Sequence, residues 1–376
     1  MGTEYHMTRS HAAGPGTPGT VRPGKEVIQS MTKRLKLLWS IVISALACAP
    51  ALGGPTNVLV VMNGNSADSI TVSKYYASKR GIDRKYICKI YCPSDEFVTD
   101  EVFEETIRGP IKTYLMETGL KGQIDYLVTT KGIPFRTKGR WSVDSVLTCP
   151  FHDYRSQQQN PYFGAKKRFS HKQYQMYLVT RLDGLTVADA KALVDRSLAA
   201  KREKGLFLFD VSPGKDRNSS YKFLNEAMRR AAEMLKSKGF KVEIQEAPGF
   251  AVRTGLMGYF GWGANDDAYS QKGFEKLRFR PGSIADMAYS ASAVTLTGKI
   301  PAGTQRSFIT VPVTNGVTGI KGYVQEPYVY AVALPDILFD RYTSGYNLAE
   351  SFYAASRFIH WRDMVLGDPL CAPYAK

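Results

Sequence analysis

Residues able to do chemistry gather at three glycine- or serine-marked turns. The first is Gly261-Trp262-Gly263-Ala264-Asn265-Asp266-Asp267. Glycines let backbone approach a ligand, and a carboxylate beside them can orient a group or take its proton. Asp266 is the candidate acid or base there. Trp262 would supply an apolar wall and Asn265 a polar contact. The second turn, Tyr289-Ser290-Ala291-Ser292, places small hydroxyls after an apolar run. Ser290 or Ser292 becomes a nucleophile only if a base reaches it. The third is Gly367-Asp368-Pro369. Asn-Asp and Gly-Asp-Pro are also common turn sequences, so each motif has a structural reading beside the chemical one.

Further acids fall at plausible strand ends: Asp125, Asp144, Asp183 and Glu326, with Asp266 and Asp368. Converging carboxylates could bind a divalent cation or run acid–base catalysis. They could equally pair with the abundant Lys and Arg. The catalytic candidates are Ser290, Asp266, Asp144 and Asp183. The binding candidates are Trp262, Asn265, Lys131, Arg136, Arg181, Glu326 and Asp368. No metal site or cofactor is expected: Cys149 and His152 are close in sequence, but no second ligand pair has metal-like spacing. There is no Gly-x-Ser-x-Gly elbow, no His-Glu-x-x-His and no phosphate-binding glycine loop. Beyond the amino-terminal segment the histidines are His152, His171 and His360. None directly follows an expected strand, so a Ser–His or Cys–His pair would need a loop to complete it.

Strands and helices must hold these turns. The apolar run 57–62 (NVLVVM) reads as a buried strand, then 68–80 as a helix ended by Gly81. A strand at 87–91, a helix from Asp100 to about Thr118 and a strand at 124–130 follow. Strand–helix alternation predicts a three-layer α/β domain around a mostly parallel sheet, with ligands at strand carboxyl ends. Residues 132–176 interrupt the alternation and read as an insertion or long loop. Strands are expected at 176–180, 206–210, 255–263, 283–297 and 319–324. Helices are expected at 186–201, 219–238, 337–342 and 348–355.

The chain has 376 residues, 44% hydrophobic, with a formal charge of +16. Such a surface favours anionic lipid, acidic polysaccharide or nucleic acid, although dispersed Lys and Arg also suit a solvated face with no specific partner. No nucleic-acid motif is visible. Residues 1–30 are rich in Gly, Pro, Thr and Ser and read as a disordered or mis-started extension. From Met31, three cations (Lys33, Arg34, Lys36) precede the apolar run 37–49, the pattern of a secretory signal peptide. Cleavage after Gly53, with Ala51 at −3, leaves one domain over 54–376 and a net charge of about +12. The product would be exported, periplasmic or extracellular, with no transmembrane segment of its own. Four cysteines remain (Cys88, Cys92, Cys149, Cys371): either two disulfides, Cys88–Cys92 and Cys149–Cys371, or four buried thiols.

The carboxyl half carries a specific resemblance. It rests on 316–328 (GVTGIKGYVQEPY), 335–342 (PDILFDRY), 345–353 (GYNLAESFY) and 367–374 (GDPLCAPY). Matching stretches include 130–134, 142–145, 160–162, 177–184 and 258–266. The chain, over about residues 56–374, resembles an uncharacterised family of exported bacterial proteins found in species with exosortase and its PEP-CTERM sorting system. That resemblance implies export and no established reaction. A more distant likeness is to the gingipain and caspase-like cysteine peptidases, in which His-Gly follows one central strand and Cys the next. Here Trp262-Gly263 stands at the first place and Tyr289 or Ser290 at the second, so the likeness implies the scaffold without its dyad.

Two readings follow. One is a caspase-like scaffold without the Cys–His dyad, binding or assembling an envelope protein or exopolysaccharide. The other is a hydrolase of altered chemistry using Ser290 or Ser292, or Asp266 with Asp144 and Asp183.

Overall fold

The computed structural model describes residues 55–376 except 153–155, 295 and 297–307. The expected extension and signal segment lie outside the described residues. The first apolar run forms β1 (Val58–Asn63). Ser66 then caps helix α1 (Ala67–Arg80) by accepting from the Ser69 N–H, and Gly81 ends it at φ 65°.

Nine more strands join β1 in one sheet: β2 (Ile87–Ile90), β3 (Tyr126–Thr130), β4 (Leu178–Leu182), β5 (Leu206–Asp210), β6 (Lys241–Gln245), β7 (Leu256–Gly261), β8 (Phe279–Met287), β9 (Gly319–Tyr323) and β10 (Asp363–Gly367). Their order is β2-β1-β3-β4-β10-β9-β8-β7-β5-β6. Neighbours are parallel, except that β9 and β10 are antiparallel. In that pair Gly319 faces Gly367 and Tyr323 faces Asp363. β4 and β10 meet at one pair, Leu366 with Arg181. The ends of β3, β4 and β9 lie together, since the Ser142 N–H after β3 donates to the Trp361 carbonyl and Ser145 Oγ to Asp363, which faces Tyr323.

Every residue of β3, β4 and β9 is buried, which requires cover on both faces. The cover comes from α1 with α2 (Gly109–Glu117), α3 (Val187–Leu198), α4 (Ser219–Ser237), α5 (Pro335–Thr343) and α6 (Leu348–Ala355). Helix α1 packs on α3, and α5 packs on both α4 and α6. Capping boxes start α3 (Thr186 with Asp189) and α6 (Asn347 with Glu350). The protein is a three-layer α/β fold on a mostly parallel sheet.

Three elements differ from expectation. β6 and β10 are strands that no sequence signal marked: β6 is a half-exposed edge strand carrying Lys241 and Glu243, and β10 is short and begins on the charged Asp363. β8 runs over 279–287 rather than 283–297. The small residues after Met287 form turns, with Ala291 at φ 53°. Region 132–176 contributes Arg136–Thr137, paired with Phe97–Val98, and Gln158–Gln159, paired with Phe358–Ile359. The four cysteines are free and buried, so neither expected disulfide is present. Among the described residues no helix is long and apolar enough to cross a membrane.

Candidate functional site

At the edge where β5, β7 and β8 end, a cleft of about 490 Å³ opens. The two turns after β7 and β8 are tied together at its floor. Ala288 N–H donates to the Gly261 carbonyl at 2.9 Å, and Asn265 Nδ2 donates to the Ala288 carbonyl at 2.7 Å. Trp262 is 2% exposed and fixed by its indole N–H, which donates to Asn225 Oδ1 of α4 at 2.7 Å. Tyr221 meets the Trp262 ring edge-on at 5.7 Å. Lys215 lies over both rings, 5.3 Å from Tyr221 and 5.5 Å from Trp262. A lysine so placed combines cation–π attraction with a donor at the mouth of the site.

The opposite wall comes from the loop after β9. Glu326 Oε1 accepts from the Tyr328 N–H at 2.9 Å. Tyr328 adopts φ 61° and ψ 149°, a region that residues with a Cβ avoid. Its ring stacks on Tyr330 at 5.6 Å and 15°, and both stay exposed, at 49% and 40%. Arg362 lies over Tyr328, and the Trp361 indole donates to the Pro327 carbonyl at 3.0 Å.

Ser290 and Tyr289 line the cleft between these walls. Ser290 is half-buried, and its hydroxyl has no hydrogen bond with a described residue. Among the described residues that line the cleft, Glu326 is the one carboxylate and none is a histidine. His171 is occupied elsewhere: its Nδ1 is 2.9 Å from the Met176 carbonyl, and the ring stacks on Tyr177 at 4.2 Å. The thiols offer no substitute nucleophile. Burial pushes Cys88 and Cys92 up to about 12, and Cys149 and Cys371 up to about 11.

Two buried carboxyls sit at the ends of β5 and β8. Burial and the neighbouring Asp266 carboxylate push Asp210 up to about 7, and the Tyr259 hydroxyl lies 3.3 Å from it. Asp266 itself accepts from Ser212 Oγ at 3.1 Å. Burial likewise pushes Asp286 up to about 7, with the Tyr323 hydroxyl at 3.2 Å from its Oδ2. Neither lines the cleft.

The other candidates belong to the other half of the sheet, where β3 and β4 end. Arg181, fully buried, grips Asp144 with two bonds of 2.8 and 2.7 Å and also donates to the carbonyls of Ile133 and Pro134. Asp183 lies 3.5 Å from Arg181 and 3.4 Å from Lys131 Nζ, and accepts from the Gly184 N–H. Burial pushes the Asp183 carboxyl up, against the pull of Lys131 and Arg181. The carboxylate of Asp368, also fully buried, holds Arg80 and the Tyr76 hydroxyl of α1. Asp125 sits before β3, bound to Asn57 and the His171 N–H. The strand-end acids thus do not converge. Asp144 and Asp183 share one buried cluster with Arg181 and Lys131. Ser290, Trp262, Asn265 and Glu326 share the cleft, with Asp266 just behind its Asn265 side. Arg136 lies apart, on a second cavity.

No protein-family model matches the chain, and no curated protein does. Two solved structures are similar to it: the Arg-specific cysteine proteinase gingipain R, and a second described only as a protease. Each is 12% identical, with the alignment covering 85% of this chain and 78% of the other at a TM-score of 0.47.

Sequence reasoning missed Lys215, Tyr221, Tyr328, Tyr330 and Asp210. The run Glu326-Pro327-Tyr328-Val329-Tyr330, two aromatics behind a proline at a strand end, was the available signal for the outer wall. Nothing local marks Tyr221, which reads as one more residue of a helix.

Proposed function

We propose that this is an exported binding protein of the cell envelope, of the kind met in species with exosortase, and that its cleft holds a stretch of polysaccharide without cleaving it. The observation that carries this reading is the strained Tyr328, whose backbone sets two stacked tyrosines in solvent at the cleft mouth. Strain of that kind persists where surrounding structure enforces it, and it gathers at ligand-binding sites. A sugar ring suits such a surface: its C–H face packs on an aromatic face, and its hydroxyls need polar partners close by. Lys215, Ser290, Asn265 and Glu326 supply donors and acceptors around the rings. Export rests on the pattern of 31–53 and on the resemblance over 56–374.

Calorimetric titration of the chain with neutral and acidic oligosaccharides tests the reading. Binding that weakens at least about tenfold in Tyr328→Ala supports it. No heat with any glycan would sink it. The Ser290 hydroxyl, to which no described residue bonds, favours a second reading, serine hydrolysis, which needs a base within about 3 Å. Covalent labelling of Ser290 by a fluorophosphonate would shift the case to that reading.

A further inference from the structure

A second cavity, of about 280 Å³, is lined by Phe97, Arg136, Thr137, Lys138, Arg140 and Gln325. It adjoins the cleft along the chain, for Gln325 lines one and Glu326 the other. A run of rings also joins them: Trp141 meets Trp361 edge-on at 5.5 Å, and Trp361 stacks on Tyr328 at 6.5 Å. Three cations line the cavity and no carboxylate does. Arg136 is paired with Glu96 at 3.1 Å and lies over Phe97. Lys138 and Arg140 form no ion pair among the described residues. Asp100 lies against Gly139, and Glu101 feels Lys138 electrostatically, but neither acid lines the cavity.

Two buried polar atoms at this cavity lack partners. Thr137 is 2% exposed and its Oγ1 has no hydrogen bond; nor has Arg136 Nε. Orphaned buried donors cost stability unless something satisfies them. Arg140 adds a second strained backbone, φ 69°, in a turn closed by bonds from Arg140 N–H to Thr137 and from Thr137 N–H to Trp141. An anionic group in the cavity would meet the Arg136 guanidinium, with Lys138 and Arg140 balancing its charge.

We infer that this cavity is a carboxylate subsite and that the bound polysaccharide is a uronic-acid chain. One carboxylate sits among Arg136, Thr137, Lys138 and Arg140, and neighbouring rings lie on Tyr328 and Tyr330. The inference rests on the glycan reading of the cleft.

The test is titration of the full chain with oligogalacturonate and with its carboxyl-reduced, neutral counterpart. The acidic chain is expected to bind about tenfold tighter, with the margin shrinking as salt is raised. The double variant Lys138→Ala/Arg140→Ala, on exposed side chains, should erase that margin. Equal binding of the two oligosaccharides, or a margin that survives the double variant, overturns the subsite and leaves the cleft reading intact. Acidic binding lost in the double variant but untouched by Tyr328→Ala keeps the subsite and overturns the cleft. Binding of neither oligosaccharide overturns both.

Discussion

The edges presented by the two halves of the sheet, β3 with β4 and β5 with β7 and β8, use polar residues in opposite ways. Where β3 and β4 end, Lys131, Asp144, Arg181 and Asp183 lie together, each with several partners. Where β5, β7 and β8 end, Ser290 has no hydrogen bond among the described residues, Tyr328 is strained and two tyrosines stand in solvent. A buried charge is tolerable only when paired and hydrogen-bonded, so the first edge is a fastener. Polar groups left open beside exposed rings are what a ligand can complete, so the second edge is the place to look for binding. The difference between the edges is satisfaction, not residue type: both hold acids, bases and hydroxyls.

The sharpest way to break this comparison is Asp144→Ala. It leaves Arg181 buried without its bidentate partner and should cost about 3–5 kcal/mol, read from denaturant unfolding. A loss below about 1 kcal/mol would mean the first edge is no fastener. Folded Asp144→Ala protein should bind glycan like the unaltered chain.

Next in size is a pH effect at the second edge. Asp210 ionises near 4 in an unfolded chain but is raised to about 7 when folded. Between those values the folded state keeps a proton that the unfolded state releases. Asp210 therefore costs stability progressively as pH rises through that window, and steadily above it. Asp210→Asn should match the unaltered chain near pH 4 and exceed it by roughly 2–4 kcal/mol at pH 8. A constant difference across that range would contradict the raised carboxyl.

Tyr328 separates strain from contact. Tyr328→Gly, which relieves the backbone, should be about 1 kcal/mol more stable than Tyr328→Ala in thermal or denaturant melts. Both should lose glycan affinity. Equal stability would remove the argument that the fold enforces this conformation. The smallest effect belongs to Ser290→Ala, expected within about 0.5 kcal/mol because no described residue bonds to the hydroxyl. A clear loss of hydrolytic turnover in that variant would make the second edge catalytic after all.

Much of the scaffold was legible because it is local. Helix α6 carries its own capping box and an apolar run, and β5 is a continuous apolar stretch, so both were read with their observed bounds. The turns at Trp262 and Ser290 were legible for the same reason: glycine and small residues directly after an apolar run. β10 was not, because its five residues become a strand only by pairing with β4 and β9. The acids Asp144, Asp183 and Asp266 look like one potential set in sequence, but their partners separate them: Arg181 holds Asp144 and Asp183, and Ser212 donates to Asp266.

By itself the sequence determined the α/β alternation, the helix caps, the glycine-marked turns and the basic balance, all set by neighbours along the chain. Only the tertiary structure decided which charges are paired and which are open. Arg181 could have been a ligand contact or a buried clamp. It is a clamp because Asp144, thirty-seven residues away, reaches it through a folded insertion. Tyr328 could have been a core ring. It faces solvent because the loop after β9, held by Glu326, Arg362 and Trp361, forces its backbone outward. Pairing and strain depend on contacts across the chain, and no local pattern encodes them.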